Sequence, residues 1–329
     1  MQYYKQKDEK LVCLLCSHYC HLSPEQTGLC GVNKNTGNQI ECLVYGYLAA
    51  LNIDPIEKKP LYHFLPSSKS LSLGTVGCNF HCTFCQNWGI SQEKNIDKKH
   101  YFAPLDIVQL ALKYECDSIS YTYNEPTIFY PYAKDIALEA KKVGLKNIYV
   151  SNGFESREVI TDMQGVIDAC NIDLKTFNPK YYQQLGGKLE VILDNLKLFK
   201  HLGIWIEVTT LIIPSKNDSK EELNAIAIFI KKELGINTPW HISAFHPDYK
   251  EKNLPRTSLD ILKEAYAIGK EVGLNYIYIG NASFENATVC STCKTELIKR
   301  ENFGVVANNL VKGCCPVCNK TLEGVFYEN

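Results

Sequence analysis

Between Tyr45 and Glu285, short runs rich in β-branched and aromatic residues alternate with longer stretches of helical period, and this alternation restricts the fold more than any other feature. The runs Ser70–Val76, Ser118–Tyr123, Asn147–Ser151, Ala169–Leu174, Ile204–Ile213, Trp240–Phe245 and Asn275–Gly280 read as strands. The stretches Pro104–Glu115, Tyr130–Gly144, Leu189–Gly203, Ser219–Gly235 and Ser258–Gly273 read as helices. They end in Gly or sit behind Ser, Asp or Pro, as helix caps require. Regular alternation of this kind requires right-handed crossovers and a parallel sheet. The expected fold is therefore α/β, a partial or near-complete (β/α) parallel barrel with its functional residues at the C-terminal ends of the strands.

The chain of 329 residues is long enough to bury a sizeable core beside small appendages. Its 45% hydrophobic and 22% charged content is that of a globular protein, and no run of apolar residues is long enough to span a bilayer. The opening MQYYKQKDEK has no apolar segment of the kind a secretory signal needs, so the expected compartment is the cytoplasm, with no membrane partner. A net charge of −1, with basic residues scattered among acids, argues against nucleic acid as a partner.

Fifteen cysteines without an export signal point to metal binding or catalysis rather than disulfides. They divide the chain into a Cys-rich N-terminal module (1–45), a barrel (46–285) and a C-terminal four-cysteine module (286–329). In GCNFHCTFCQNW, Cys78, Cys82 and Cys85 stand in C-x3-C-x2-C spacing. Three thiolates on a 4Fe-4S cluster leave one iron open to a small chelating molecule. A structural zinc needs four ligands, and His81 would have to supply the fourth. Near the C-terminus, Cys290, Cys293, Cys315 and Cys318 form two C-x2-C pairs with zinc-ribbon spacing, Cys314 being an alternative to Cys315. At the N-terminus, Cys13, Cys16, Cys20 and Cys30 offer four ligands for zinc or a second cluster. Cys42, Cys116 and Cys170 stand alone and read as small buried hydrophobes. The other strands end in chemical residue types: NEPT, SNG, DLK and HPD.

The three-cysteine loop, with Phe84 directly before its last cysteine, resembles the cluster motif of the radical S-adenosylmethionine (SAM) superfamily. That resemblance implies a barrel of radical SAM type that cleaves S-adenosyl-L-methionine at the cluster to a 5'-deoxyadenosyl radical for hydrogen abstraction. YTYNEP takes the place of the superfamily's Gly-Gly-Glu stretch and makes Glu125 the implied contact of the SAM amino group, with Tyr123 and Asn124 in place of the glycines. By similarity to the activase-like branch, SNG implies Asn152 at the ribose. DLK implies Asp173 and Lys175 near the methionine carboxylate, and AFHPD implies His246 near that carboxylate. The bland readings are a surface ion pair for Asp173 and Lys175 and a helix N-cap for Glu125.

With CLLCSHYCHL, GLCGVNKN and the terminal cysteines, the whole chain looks like the AmmeMemoRadiSam system radical SAM enzymes, similar in the barrel to pyruvate formate-lyase activating enzymes. That resemblance implies an unidentified substrate, small molecule or protein, a reducing electron donor, and partner proteins of the Memo and Ammecr types. Two other functions fit parts of the pattern. A glycyl-radical enzyme activase would act on a large partner, although the flanking cysteines lack a C-x2-C-x2-C-x3-C ferredoxin spacing. A non-catalytic zinc-ribbon adaptor would leave the strand-end residues unused.

Overall fold

The computed structural model describes residues 2–327. An eight-stranded sheet forms its centre, with the strands side by side in chain order. They are β1 (Ala50–Pro55), β2 (Lys69–Gly74), β3 (Ser118–Tyr121), β4 (Lys146–Ser151), β5 (Ala169–Asp173), β6 (Trp205–Ile212), β7 (Trp240–Ala244) and β8 (Ile277–Gly280). β1 runs antiparallel to β2 and every later neighbour is parallel. The parallel pairs are joined by helices: α1 (Pro104–Lys113), α2 (Tyr130–Lys142), α3 (Arg157–Met163), α4 (Pro179–Leu185), α5 (Leu189–His201), α6 (Lys220–Phe229) and α7 (Leu259–Val272). β8 and β1 are not paired, so the sheet is a partial, open barrel.

Each strand expected between Ser70 and Gly280 is present. β1 was not among the expected strands, and ALNIDP carries Asn, Asp and Pro, which are depleted in strands. Pro55 closes that strand at the sheet's edge, where a missing N–H costs no ladder bond. The short α3 and α4 also escape the 3.6-residue period. They are fixed by their caps: Ser156 accepts a hydrogen bond from Val159 N, and Asn178 accepts from Lys180 N and Tyr181 N. The stretch predicted as one helix to Gly235 is α-helical to Phe229 and then winds into a π-turn over Ile230–Leu234. α2 shows how the helices seat: Tyr132, Ala133, Ile136, Ala137 and Ala140 recur at helical spacing and are buried against the sheet.

One face of the sheet is polar. Asp173, Thr209, His241 and Tyr278 are cross-strand neighbours in one row, and Leu211, Ser243 and Gly280 in the next. Below them, Ile56, Leu61, Phe64 and Leu65, from the chain between β1 and β2, pack on Ile148 and Ala169 and plug the barrel. The plug is held by Glu207, whose fully buried carboxylate accepts from Tyr62 N at 3.0 Å, His63 N at 2.8 Å and Trp205 Nε1 at 3.1 Å. His241 Nε2 lies 2.6 Å from the same carboxylate. Burial pushes this carboxyl up, and the hydrogen bond and charge of His241 outweigh it and hold it below the ordinary glutamate range.

At the N-terminal end, Tyr4–Lys7, Lys10–Cys13 and His21–Leu22 form one small sheet, and Asn33–Asn35 pairs with Ile40–Cys42. Leu15, Leu22, Val32 and Val44 from this region are part of the barrel's hydrophobic core. At the other end, β9 (Asn286–Val289), β10 (Glu296–Glu301) and β11 (Gly304–Asn308) form a separate sheet. Arg300 is buried there, donating to Tyr62 O at 2.6 Å and Thr288 Oγ1 at 2.9 Å, with its guanidinium 4.3 Å from the centre of the Tyr62 ring. Among the described residues, no helix is long and apolar enough to cross a membrane.

Glu207→Ala is expected to lower unfolding free energy by about 3–5 kcal/mol, since it strands three donors and His241. Adding His241→Ala in that background should cost less than His241→Ala alone. Denaturant titration of the four proteins measures both, and strict additivity would mean that the two side chains act independently.

Candidate functional site

A cavity of about 510 Å3 opens at the C-terminal ends of the parallel strands, within the roughly 300–1,000 Å3 of ligand pockets in general. One wall is the three-cysteine loop, with Cys78, Cys82, Cys85, Phe80 and Phe84. Strand-end residues Glu125, Asn152, Asp173 and Lys175 also line it, as do Asn171, Thr209, His241 and Ser243 from the barrel interior. His246 follows β7 but is not among the lining residues. The histidine that reaches the cavity from this strand is His241.

The loop's path is set by neighbours rather than by its own sequence. Gly77 has φ +90°, and a Cβ there would lie 2.7 Å from the carbonyl oxygen of Cys30, so a side chain is doubly excluded. Asn124 Nδ2 donates to Gly77 O at 2.8 Å and to Thr75 Oγ1 at 3.1 Å, and Asn152 Nδ2 donates to Asn79 Oδ1 at 2.7 Å. Phe80 N donates to Cys78 Sγ at 3.4 Å, and Ser91 Oγ lies 3.2 Å from Cys85 Sγ.

Burial pushes the Cys82 thiol up to about 12 although Lys175 pulls it the other way, and burial raises Cys78 well above the thiol range. Thiols in such surroundings become thiolates only when a cation compensates them, which is the chemistry of a metal or cluster ligand. Three thiols on one cavity wall can each cap an iron and leave a fourth open to the cavity, so the donor set fits a cluster.

Glu125 accepts from Thr127 N at 3.1 Å, Thr127 Oγ1 at 2.6 Å, Ser151 Oγ at 2.9 Å and Asn152 N at 2.8 Å. It is thus the N-cap expected of the bland reading and a cavity residue at once. Behind it lies Glu155, fully buried, sharing the Ser151 and Thr127 hydroxyls and leaving Oε2 without a partner. Burial, with the Glu125 charge adding to it, pushes the Glu155 carboxyl up to about 8. Burial raises Glu125 as well.

Asp173 and Lys175 form an ion pair at 2.6 Å on the cavity wall. Burial draws the lysine down, while the charge and hydrogen bond of Asp173 outweigh it and keep the ammonium charged. Tyr123, standing where a glycine was expected, has φ +71°. Its hydroxyl donates to Asp54 at 2.7 Å and its ring lies 4.6 Å from Lys59 Nζ, contacts that hold it in this left-handed conformation. Sequence reasoning missed Glu155, Lys59, Asn79 and Phe303, and gave Asn124 no role beyond standing in for a glycine. Phe303, in the β10–β11 turn, reaches the cavity from the C-terminal module.

The Sγ atoms of Cys290, Cys293, Cys315 and Cys318 all lie within 4.8 Å of one another. Cys290–Cys318 and Cys293–Cys315 are 3.5 Å apart, while Cys314 turns away to Thr321 at 3.6 Å, which selects Cys315. Cys30 of the N-terminal group lies beside the three-cysteine loop, its carbonyl against Gly77. Cys42 stands in the same module, opposite Asn33 across a strand pair, with its thiol 3.8 Å from Ile128 O.

A profile described as "Radical SAM superfamily" matches residues 72–230. An uncharacterized protein of Methanocaldococcus jannaschii is 39% identical over 332 residues, covering 99% of both chains. The chain belongs to the radical SAM superfamily. Another similar protein is the GTP 3',8-cyclase of Haemophilus influenzae, 25% identical over 52% of this chain and 50% of that one. Among solved structures, a radical SAM methyltransferase from Sphaerobacter thermophilus shares the fold, with a TM-score of 0.50 and 12% identity over 67% of this chain and 68% of that one. Membership makes the chain an enzyme by family and implies a 4Fe-4S cluster and SAM as cofactors.

The elevated Glu155 carboxyl gives a signed pH dependence. Between about 4.5 and about 8 the folded protein keeps a proton that the unfolded chain has lost, so this group's contribution to stability falls as pH rises through that window. Glu155→Gln, neutral throughout, should flatten the slope of unfolding free energy by as much as about 1.4 kcal/mol per pH unit. Denaturant unfolding at stepped pH checks this, and an unchanged slope would place the proton elsewhere.

Proposed function

We propose that this chain reductively cleaves S-adenosyl-L-methionine at a 4Fe-4S cluster held by Cys78, Cys82 and Cys85, generating a 5'-deoxyadenosyl radical that abstracts hydrogen from a substrate in the barrel cavity. The observation that carries the reading is three thiols on one cavity wall, Cys82 buried and Cys78 and Cys85 partly buried, lining it together with the strand-end residues Glu125, Asn152, Asp173 and Lys175. When bound, the cluster supplies the electron that breaks the C5'–S bond of SAM, releasing methionine and the radical.

The chain's own residues bind and orient. Glu125 Oε2 carries one hydrogen bond, from Asn152 N, and so keeps acceptor capacity for the SAM ammonium. Lys175, held charged by Asp173, offers a cation to the methionine carboxylate, and Asn152 lines the cavity for the ribose. Asn171, Thr209, His241 and Ser243 supply the polar wall against which the substrate sits.

In the C-terminal module we assign zinc to Cys290, Cys293, Cys315 and Cys318. A tetrahedral ion with Zn–S of about 2.3 Å sets its thiolates about 3.8 Å apart, and the two closest pairs are 3.5 Å apart. The AmmeMemoRadiSam resemblance, with Memo-type and Ammecr-type partners, is the finer assignment that the full set of motifs supports.

Anaerobic reconstitution followed by SAM and dithionite should yield 5'-deoxyadenosine from the wild type and none from Cys82→Ala, with the zinc content of the variant unchanged. Cleavage persisting in Cys82→Ala would overturn the cluster assignment. Cys290→Ala should lower zinc by about one per chain and reduce stability by several kcal/mol. Full zinc stoichiometry in that variant would overturn the ribbon.

A further inference from the structure

The N-terminal cysteines are built into the wall behind the three-cysteine loop. Cys30 meets Gly77 through its carbonyl, directly before Cys78 in the chain, and Cys30 and Cys78 line one small cavity of about 210 Å3. His18 Nε2 lies 3.0 Å from Asn79 O, in the same loop. Ser17 N donates to Phe154 O at 3.0 Å, and Cys16 bridges to Glu155, which ties the hairpin to the segment following Asn152. Asn33 Nδ2 donates to Ile128 O at 2.7 Å, just beyond Glu125. The module therefore grips the three-cysteine loop and the loops that follow β3 and β4.

The four thiols converge without closing up. The alpha-carbon of Gly28 sits between two of them, so that a Cβ there would be 3.7 Å from Cys20 Sγ and 3.8 Å from Cys30 Sγ. Cys13 N donates to Cys20 O at 2.9 Å and Tyr19 N to Cys16 O at 3.1 Å, which folds these three cysteines into one hairpin. Yet among the described residues, the C-terminal four are the one group whose ligand atoms all lie within 4.8 Å. Zinc draws its thiolates to about 3.8 Å, whereas a 4Fe-4S cluster caps a separate iron with each thiolate and holds them further apart. Among the described residues, Cys78, Cys82 and Cys85 likewise form no group within that distance. The Asn33 side-chain amide donates to Cys30 Sγ at 3.4 Å. Such donors set the potential of iron-sulfur clusters. Cys42, engaged with the Ile128 carbonyl, is left out of the ligand set.

We propose that Cys13, Cys16, Cys20 and Cys30 hold a second iron-sulfur cluster, which relays electrons to the cluster on Cys78, Cys82 and Cys85. The relay rests on the function proposed above, whereas the metal content does not. A low-potential one-electron donor protein reduces the N-terminal cluster by one electron. That electron passes to the three-cysteine cluster, returning the relay to its oxidised state, and is spent on breaking one C5'–S bond.

The test begins with the full-length triple variant Cys78→Ala, Cys82→Ala, Cys85→Ala, reconstituted anaerobically with iron and sulfide. It should retain iron and acid-labile sulfide and give a reduced-cluster EPR signal, and a further Cys20→Ser should remove all three. A triple variant free of iron, with a second zinc per chain, overturns the proposal. In the otherwise wild-type chain, Cys20→Ser should keep the SAM-induced change in the EPR signal of the remaining cluster. With reduced flavodoxin as donor, its 5'-deoxyadenosine formation should fall by about tenfold or more. An undiminished rate overturns the relay. Wild-type protein with both clusters and no SAM cleavage would instead overturn the function and leave the second cluster standing.

Discussion

Burying the carboxylate of Glu207 in a barrel interior costs several kcal/mol unless donors surround it, and the chain meets that demand by folding the Tyr62–His63 backbone back into the barrel. That return fixes the plug, so the cavity has a floor. It also orients His241, which shows one edge to Glu207 and another to the cavity. Arg300 extends the same logic outward, binding the Tyr62 carbonyl and so attaching the C-terminal sheet to the plug. Floor, polar wall and terminal module are thereby coupled through one set of buried hydrogen bonds.

The two cysteine-rich ends embrace the cavity from different sides. The N-terminal module touches the three-cysteine loop at Gly77 and Asn79, and the neighbouring loops at Ile128 and Phe154. The C-terminal module reaches the cavity through Phe303, three residues beyond the Arg300 anchor. A cluster needs enclosure against water and oxygen, and a substrate needs access. A module on each side allows the first without closing the second.

The middle of the chain was legible because parallel β/α units impose two periods at once, and both survive in the residues of β2 to β8 and their longer helices. β1, α3 and α4 were not, because a short edge strand and seven-residue helices owe their existence to a partner or a cap rather than to a period. At the site, Glu125, Asn152, Asp173, Lys175 and Phe84 line the cavity beside the three cysteines, whereas His246 does not and His241 does. Glu155 gave no signal, since one more glutamate after a strand looks like any solvated acid until its burial is seen.

The sequence by itself determined the alternating architecture, the thiol groups and the strand-end residue types, because spacing and chemical type are properties of the chain. Only the tertiary structure decided which thiols draw together and which stay apart, that Cys315 rather than Cys314 joins its group, and that the Cys42 thiol lies against the Ile128 carbonyl. Those outcomes depend on distances between segments remote in the chain, which are set by the packing of the whole barrel and are written in no local run of residues.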